Sequence, residues 1–201
     1  MRLEAINNYV TVEPVEPKEA GFIKPDTAQK TIRWAKILST GPGMTDLHGT
    51  VIEPDCKPGD LAYVMAHGKH AIDLTYFGAK EGFVCSMLDV LCTIDLETMK
   101  IKPLGSYVQI EKMESPKESA GGMLLPDSKR TPPNLGKVIT LGTGWKTIDG
   151  TTVPFHVAED DMIAYDPFKV MIVDLEHLGI NETYHIIQHA NIIAKVIEEK
   201  E

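Results

Sequence analysis

The sequence predicts an all-β protein made of two similar domains in tandem. Two observations carry that expectation: one residue pattern is written twice, and each copy breaks into short alternating runs. Asn8-Tyr9-Val10-Thr11-Val12-Glu13 returns as Ser106-Tyr107-Val108-Gln109-Ile110-Glu111. Pro17-Lys18-Glu19 returns as Pro116-Lys117-Glu118, and Pro25-Asp26 as Pro126-Asp127. Lys36-Ile37-Leu38-Ser39-Thr40-Gly41-Pro42-Gly43 matches Lys137-Val138-Ile139-Thr140-Leu141-Gly142-Thr143-Gly144. Further on, Gly59-Asp60-Leu61 aligns with Asp160-Asp161-Met162, and Asp89-Val90-Leu91-Cys92 with Asn191-Ile192-Ile193-Ala194. The offset drifts only from 98 to 102. A chance match would not keep its order over about a hundred residues, and such self-similarity marks a repeated unit. The expected domains are residues 1–98 and 99–201.

Within each copy the elements read as strands. Val10 and Val12 alternate with Thr11 and Glu13, and Val108 and Ile110 with Gln109 and Glu111, the period of a half-buried strand. Arg33–Ser39 and Lys137–Leu141 follow, each running into a Gly-x-Gly turn. Leu47-His48-Gly49-Thr50 and Ile148-Asp149-Gly150-Thr151 predict a β-hairpin in each half; Asp-Gly is the stronger of the two turn signals. Leu61–Met65 and Met162–Tyr165 are the next strands. Apolar runs close each copy: Phe83–Ser86 with Val90–Ile94, then Tyr184–Ile187 with Ile192–Ile197. Short strands divided by turns over about 100 residues point to a small barrel or sandwich. The stretch Asn191–Glu201 reads as either strand or helix. Asp95–Lys100 joins the halves; six residues reach at most roughly 20 Å, so the last strand of one copy must lie near the first of the next.

Composition narrows the function. Hydrophobic content of 43% and charge of 24% are ordinary for a folded protein. No apolar run reaches the roughly 18–20 residues of a membrane span, and the start of the chain shows no signal or transit peptide. Net charge is −9, split as 9 basic against 14 acidic residues in 1–98 and 11 against 15 in 99–201. An acidic chain with no basic stripe is a poor nucleic-acid partner. Cys56, Cys85 and Cys92 form no CxxC pair, which fits reduced thiols in a cytoplasmic setting.

One stretch fits neither strand nor helix. From Met113 to Asn134 the chain is rich in Ser, Pro, Gly and charge, yet Met123, Leu124 and Leu125 sit inside it between Gly121-Gly122 and Pro126. An apolar knot in a glycine-hinged polar loop either packs back on its own body or fits the groove of a partner.

The order of these features resembles the GroES-type co-chaperonin subunit, in a tandem two-domain form. Its carriers in the second half are Lys102-Pro103-Leu104, opening the first strand, and Ser119-Ala120-Gly121-Gly122-Met123-Leu124-Leu125-Pro126. Gly136-Lys137-Val138, Gly142-Thr143-Gly144, Asp160-Asp161-Met162-Ile163 and Asn191-Ile192-Ile193-Ala194 complete them. Departures exist. Ser106-Tyr107 stands where the family usually has an Asp-Arg pair, and Glu111-Lys112 where it has Lys-Arg. In the first half the loop shortens to Ala20-Gly21-Phe22-Ile23-Lys24-Pro25, with Lys24 in place of a third apolar residue.

The resemblance implies a fold of two GroES-like small β-barrels, each with a mobile loop and a β-hairpin. It also implies a partner: a GroEL-type chaperonin, which supplies the ATPase and receives each loop in an apical groove. Gly121, Gly122, Met123, Leu124 and Leu125, with Gly21, Phe22 and Ile23, would be the chaperonin-binding residues. Burying Met123, Leu124 and Leu125 is worth about 1.5–3 kcal/mol each, roughly 5–9 in sum, against about 2–5 kcal/mol for ordering the segment. A single loop is therefore a weak ligand, and several on one ring bind tightly through effective concentration. The resemblance further implies a homo-oligomeric ring against seven chaperonin sites, which a two-barrel chain does not match by simple multiples. The absence of a transit peptide turns the expectation toward a bacterial or bacteriophage source. No cofactor, metal or catalysis is expected.

Other constellations have plainer readings. His67/His70 and His185/His189 have spacings that suit a metal, but on a strand the second pair would share a face about 13 Å apart. Gly142-Thr143-Gly144 lacks the helix and βαβ unit of a dinucleotide site. Asp160-Asp161 reads as a turn leading into a strand. Glu198–Glu201 reads as a solvated tail. A zinc alcohol-dehydrogenase-like barrel would need a nucleotide-binding half and a Cys/His/Glu zinc set. The alternative to a chaperonin cap is a structural β-barrel assembly protein.

Overall fold

Alternation is cleanest at the start of each copy, and there the sheets begin. The structure, a computed structural model, describes residues 4–15, 32–65, 72–73, 75, 82–113, 134–147, 149–175 and 178–197. In the first half the strands are β1 (Tyr9–Pro14), β2 (Ile32–Thr40), β3 (Met44–Thr45), β4 (Val51–Ile52), β5 (Leu61–Met65), β6 (Ile72–Asp73), β7 (Phe83–Ser86) and β8 (Val90–Asp95). The second half carries β9 (Lys100–Pro103), β10 (Tyr107–Lys112), β11 (Leu135–Leu141), β12 (Trp145–Lys146), β13 (Thr152–Val153), β14 (Met162–Tyr165), β15 (Met171–Asp174), β16 (Thr183–Gln188) and β17 (Ile192–Lys195). Among the described residues the only helical pieces are short 3₁₀ turns, such as Met87–Asp89 and His189–Asn191.

The repeat in the sequence is a repeat in topology. One sheet runs β6-β7-β1-β2-β5-β8-β9 and the other β15-β16-β10-β11-β14-β17, the same order with one strand added to the first. Register agrees in detail: Val10 faces Thr40 as Val108 faces Leu141, and each pairing carries a bulge after the next residue. β3–β4 and β12–β13 are separate two-stranded hairpins, at the two predicted turns. Pairing among the described residues leaves both sheets open at their edges.

Gly41 and Gly142 are required by crowding. A side-chain carbon at Gly41 would overlap the carbonyl of Asn7, and one at Gly142 the carbonyl of Gly105. Their N–H groups donate to Tyr9 O and Tyr107 O, both at 2.9 Å. The Gly-x-Gly turns thus tie the end of the second long strand back to the start of the first.

Three apolar cores result. Val10, Val12, Ala35, Ile37, Ala62 and Val64 fill the first half, joined by Leu104 from beyond the join. Val108, Ile110, Val138, Ile163 and Ile187 fill the second. The third lies between them: Trp34, Tyr63, Leu91, Cys92, Ile94 and Ile101 pack with Val173, Leu175 and Ile186.

One expectation needs correction and two gain detail. Asp95–Lys100 keeps the flanking strands close as expected, and does so as a hairpin: Asp95 and Lys100 pair directly and β8 pairs with β9. The Asp95 carboxylate caps that turn, accepting from Glu97 N and Thr98 Oγ1 at 2.9 Å each. Lys102-Pro103 does not open the strand of Tyr107; Gly105, at φ 52°, breaks the chain there, and β9 joins the first half's sheet. Pro103 is tolerated because β9 is an edge strand. Finally, Asn191–Glu201 resolves as a 3₁₀ turn and β17, with 198–201 outside the described residues.

Leu91 is wholly buried, while its repeat counterpart Ile193 is 71% exposed. Leu91→Ala is expected to lower stability by about 2–5 kcal/mol. Ile193→Ala is expected to cost the dilute single chain less than about 0.5 kcal/mol. Urea unfolding of both variants measures the contrast.

Candidate functional site

The two long connections leave their sheets at matching places. Residues 15–31 link β1 to β2, and residues 113–134 link β10 to β11. Each is closed at its root by one backbone bond: Val15 N to Trp34 O at 2.9 Å, and Met113 N to Leu135 O at 3.1 Å. Gly21, Phe22 and Ile23 of the first connection, and Gly121, Gly122, Met123, Leu124 and Leu125 of the second, lie outside the described residues. The roots differ in setting. Val15 packs on the core between the halves, whereas Met113 is exposed.

The paired hairpins form a second shared feature. In β3–β4 the Asp46 carboxylate accepts from His48 N at 2.8 Å and Thr50 N at 2.7 Å. Burial pushes Asp46 up, but the backbone N–H groups of Thr50 and His48 outweigh it and hold the carboxyl below its ordinary value. In β12–β13 Asp149 does the same work; the Thr147 hydroxyl and then the Thr151 N–H depress it. Gly150 lies directly against Asp46, with no room for a side chain between them. The two turns therefore abut.

The face between the halves is built from side-chain donors and backbone acceptors. Trp34 and Tyr63 sit opposite each other on β2 and β5, rings 5.1 Å apart. Trp34 Nε1 donates to Asp174 O at 2.8 Å, and Tyr63 Oη to Ile172 O at 3.2 Å. Both acceptors belong to the edge strand β15. From the other side, Thr143 Oγ1 donates to Asp55 Oδ2 at 2.6 Å, whereas the single Tyr184 hydroxyl hydrogen goes to Glu182 Oε2, with Met99 O 3.0 Å from the same oxygen. Burial, then the Asp174 charge, pushes Tyr63 up to about 12, so its hydroxyl stays a donor. Glu182, hydrogen-bonded at 2.5 Å, and then burial do the same for Tyr184. A cavity of about 130 Å³ lies in this seam, among Met44, Ile52 and Met87 on one side and Leu104 and Trp145 on the other.

Remaining candidates fall into place as structure. Asp160 and Asp161 form a turn: Asp160 has φ 69°, like Gly59 at 98° in the first half, and Asp161 accepts from Ala158 N. Lys137 and Lys195 reach these carboxylates at 2.7 Å each. The partner of His189 is His156 rather than His185. The His156 N–H donates to His189 Nε2 at 3.2 Å. Among the described residues no group of three His, Cys, Asp or Glu comes together to hold a metal; His67 and His70 lie outside them. Nor, among the described residues, is any helix long and apolar enough to cross a membrane.

Comparison with known proteins agrees with this doubled architecture. The family model described as Chaperonin 10 Kd subunit matches residues 2–94 and again residues 100–196. The chain belongs to the Chaperonin 10 Kd subunit family. Co-chaperonin GroES of Chlamydia pneumoniae is 34% identical over 97 residues, covering 48% of this chain and 91% of that protein. The co-chaperonin GroES of an Exiguobacterium species is 35% identical over 96 residues, 48% of this chain and 98% of its own length. For Coprothermobacter proteolyticus the figures are 33% over 101 residues, 50% and 99%. Each such relative is one copy of what this chain carries in tandem.

Sequence reasoning missed β15. Val170-Met171-Ile172-Val173 is an apolar run after a Pro, and its position ahead of β16 marks it as a strand. It also missed Trp34 and Tyr63 as a pair. Their signal was that large aromatics stand where the second copy has Leu135 and Ala164.

Burial pushes Cys56 up to about 11 and Cys85 and Cys92 up to about 12. At pH 8 no more than about one thiol in a thousand is ionised, so a thiol-specific reagent should label the native chain slowly and the unfolded chain at three sites. His185 and His189 are both lowered, by burial first, then by the Lys112 charge for His185 and the His156 charge for His189. The unfolded chain takes up these protons first, so stability should fall as pH drops from about 6.5 toward the depressed values. Chemical unfolding from pH 7 to 5 should show that loss, and His189→Gln should flatten it.

Proposed function

We propose that this chain caps the ring of a GroEL-type chaperonin and so assists ATP-dependent protein folding, with the chaperonin supplying the ATPase. The observation that supports the reading is the family match to both halves, together with relatives named as co-chaperonin GroES. In it, residues 1–98 and 99–201 are two capping units, each docking by the connection between its first two long strands. Met123, Leu124 and Leu125 fill an apolar groove and Gly121-Gly122 give the arm its reach. Gly21, Phe22 and Ile23 make a shorter contact, with Lys24 left to water. The chain itself performs no catalysis and needs no cofactor.

The same reading includes a ring of copies in the cytoplasm. β17 is an edge strand, and Ile193 on it and Ile197 just past its end are exposed; such edges are normally covered. Its counterpart β8 is covered by Lys100–Pro103. The repeat counterpart of that segment is Arg2-Leu3-Glu4-Ala5, and a neighbouring copy would supply it. The net charge of −9 argues against nucleic acid as a partner.

Leu124→Asp places a charge where an apolar side chain is to be buried and is expected to reduce chaperonin capture at least tenfold, roughly 1.4 kcal/mol or more. Lys24→Ala is expected to change it little. ATP-dependent co-elution with a GroEL-type chaperonin reads both. Equal losses would refute the ranking, and no ATP-dependent association of the unaltered chain would favour a purely structural assembly protein.

A further inference from the structure

The two copies let the face inside the chain be compared, residue by residue, with the face the chain presents outward. Strand register fixes the counterparts. Trp34 pairs with Tyr63 across β2–β5, and the same two places across β11–β14 hold Leu135 and Ala164. Thr143 lies between Gly142 and Gly144, whose backbone bonds match those of Gly41 and Gly43, so its counterpart is Pro42. Among the described residues, the side chains that donate across the internal seam are Trp34, Tyr63 and Thr143. Their counterparts are Leu135, Ala164 and Pro42, and not one of those side chains can donate a hydrogen bond. On the acceptor side, Asp55 is replaced by His156.

Burial tells the same story. Ile94 is 7% exposed in the internal seam and its counterpart Val196 is 42% exposed. Cys92 is buried there, while its counterpart Ala194 is exposed. At these described positions the outward face keeps the apolar character of the inward one without its polar fastenings.

We infer that this chain self-associates through two unequal seams: an inner one latched by these three donors, and an outer one, against a second copy, that meets by strand pairing and apolar contact without them. The occupant of the outer face is a second copy because the chain already covers the same face of its first half with its own second half. This rests on the ring reading above. Its consequence is that the whole chain is the unit of assembly and exchange, and any ring opens between chains, never within one.

The test is dilution of the purified full chain, followed by sedimentation velocity and native mass spectrometry. Dissociation to single 22.2 kDa chains is expected, with a midpoint moved at least about tenfold to lower concentration by Leu135→Trp with Ala164→Tyr. A folded double variant with an unmoved midpoint overturns the inference and leaves the ring reading standing. The converse variant, Trp34→Leu with Tyr63→Ala, guards against misfolding of the first. It should raise hydrogen exchange selectively in β15 and split unfolding into two transitions, and a single unchanged transition would overturn the inference. An unaltered chain that stays single at the highest attainable concentration removes the ring reading itself, and the inference with it.

Discussion

The arrangement of this protein depends on two ring-borne donors, Trp34 Nε1 and Tyr63 Oη, meeting two carbonyls of β15. An edge strand with open carbonyls is a site for unwanted pairing. Here the opposite half occupies the Ile172 and Asp174 carbonyls with side chains, so those two acceptors are taken without adding a strand. The same contact buries Trp34 and Tyr63 against Val173, Leu175 and Ile186. Once it forms, the relative placement of the halves follows. The β8–β9 hairpin ties them on one side, and the abutting hairpin turns at Asp46 and Gly150 meet on another.

That rigidity has a functional reading. The connections expected to dock both leave from the pairing of a half's first two long strands, and both are rooted by one backbone bond. A weak contact repeated on a stiff frame gains strength from effective concentration rather than from any single site. It is also released easily when the receiving surface changes. Under the proposed docking the two connections would not be equivalent, since Lys24 stands where Leu125 would.

Much of this was legible in the sequence because the fold repeats. Alternation at Val10–Val12 and Val108–Ile110 gave both first strands, and the Gly-x-Gly pairs marked the crowded turns at Asn7 and Gly105. The hairpins followed from His48-Gly49 and Asp149-Gly150. What failed was local in origin. Pro103 and Leu104 look like the start of the next strand, and only the φ of Gly105 and the pairing of Asp95 with Lys100 assign them to the sheet before. Trp34 reads as one more apolar strand residue, because nothing in its own neighbourhood names a carbonyl 140 positions away. Long-range partners of an edge strand leave no periodic trace. The residues proposed to dock rest on composition and resemblance, since an apolar triplet in a polar loop has no period to read.

Sequence separation also sets a timetable. Asp174 is 140 residues downstream of Trp34, and synthesis at about 5–20 residues per second makes the wait roughly 7–28 s. Once β8 ends at Asp95, 79 residues remain before Asp174, roughly 4–16 s at that rate, during which the first half holds an indole and a phenol toward water with their cover unmade. The seam that buries Trp34 and Tyr63 thus closes late, and a ribosome-bound intermediate of this chain is itself a sticky object in want of shelter.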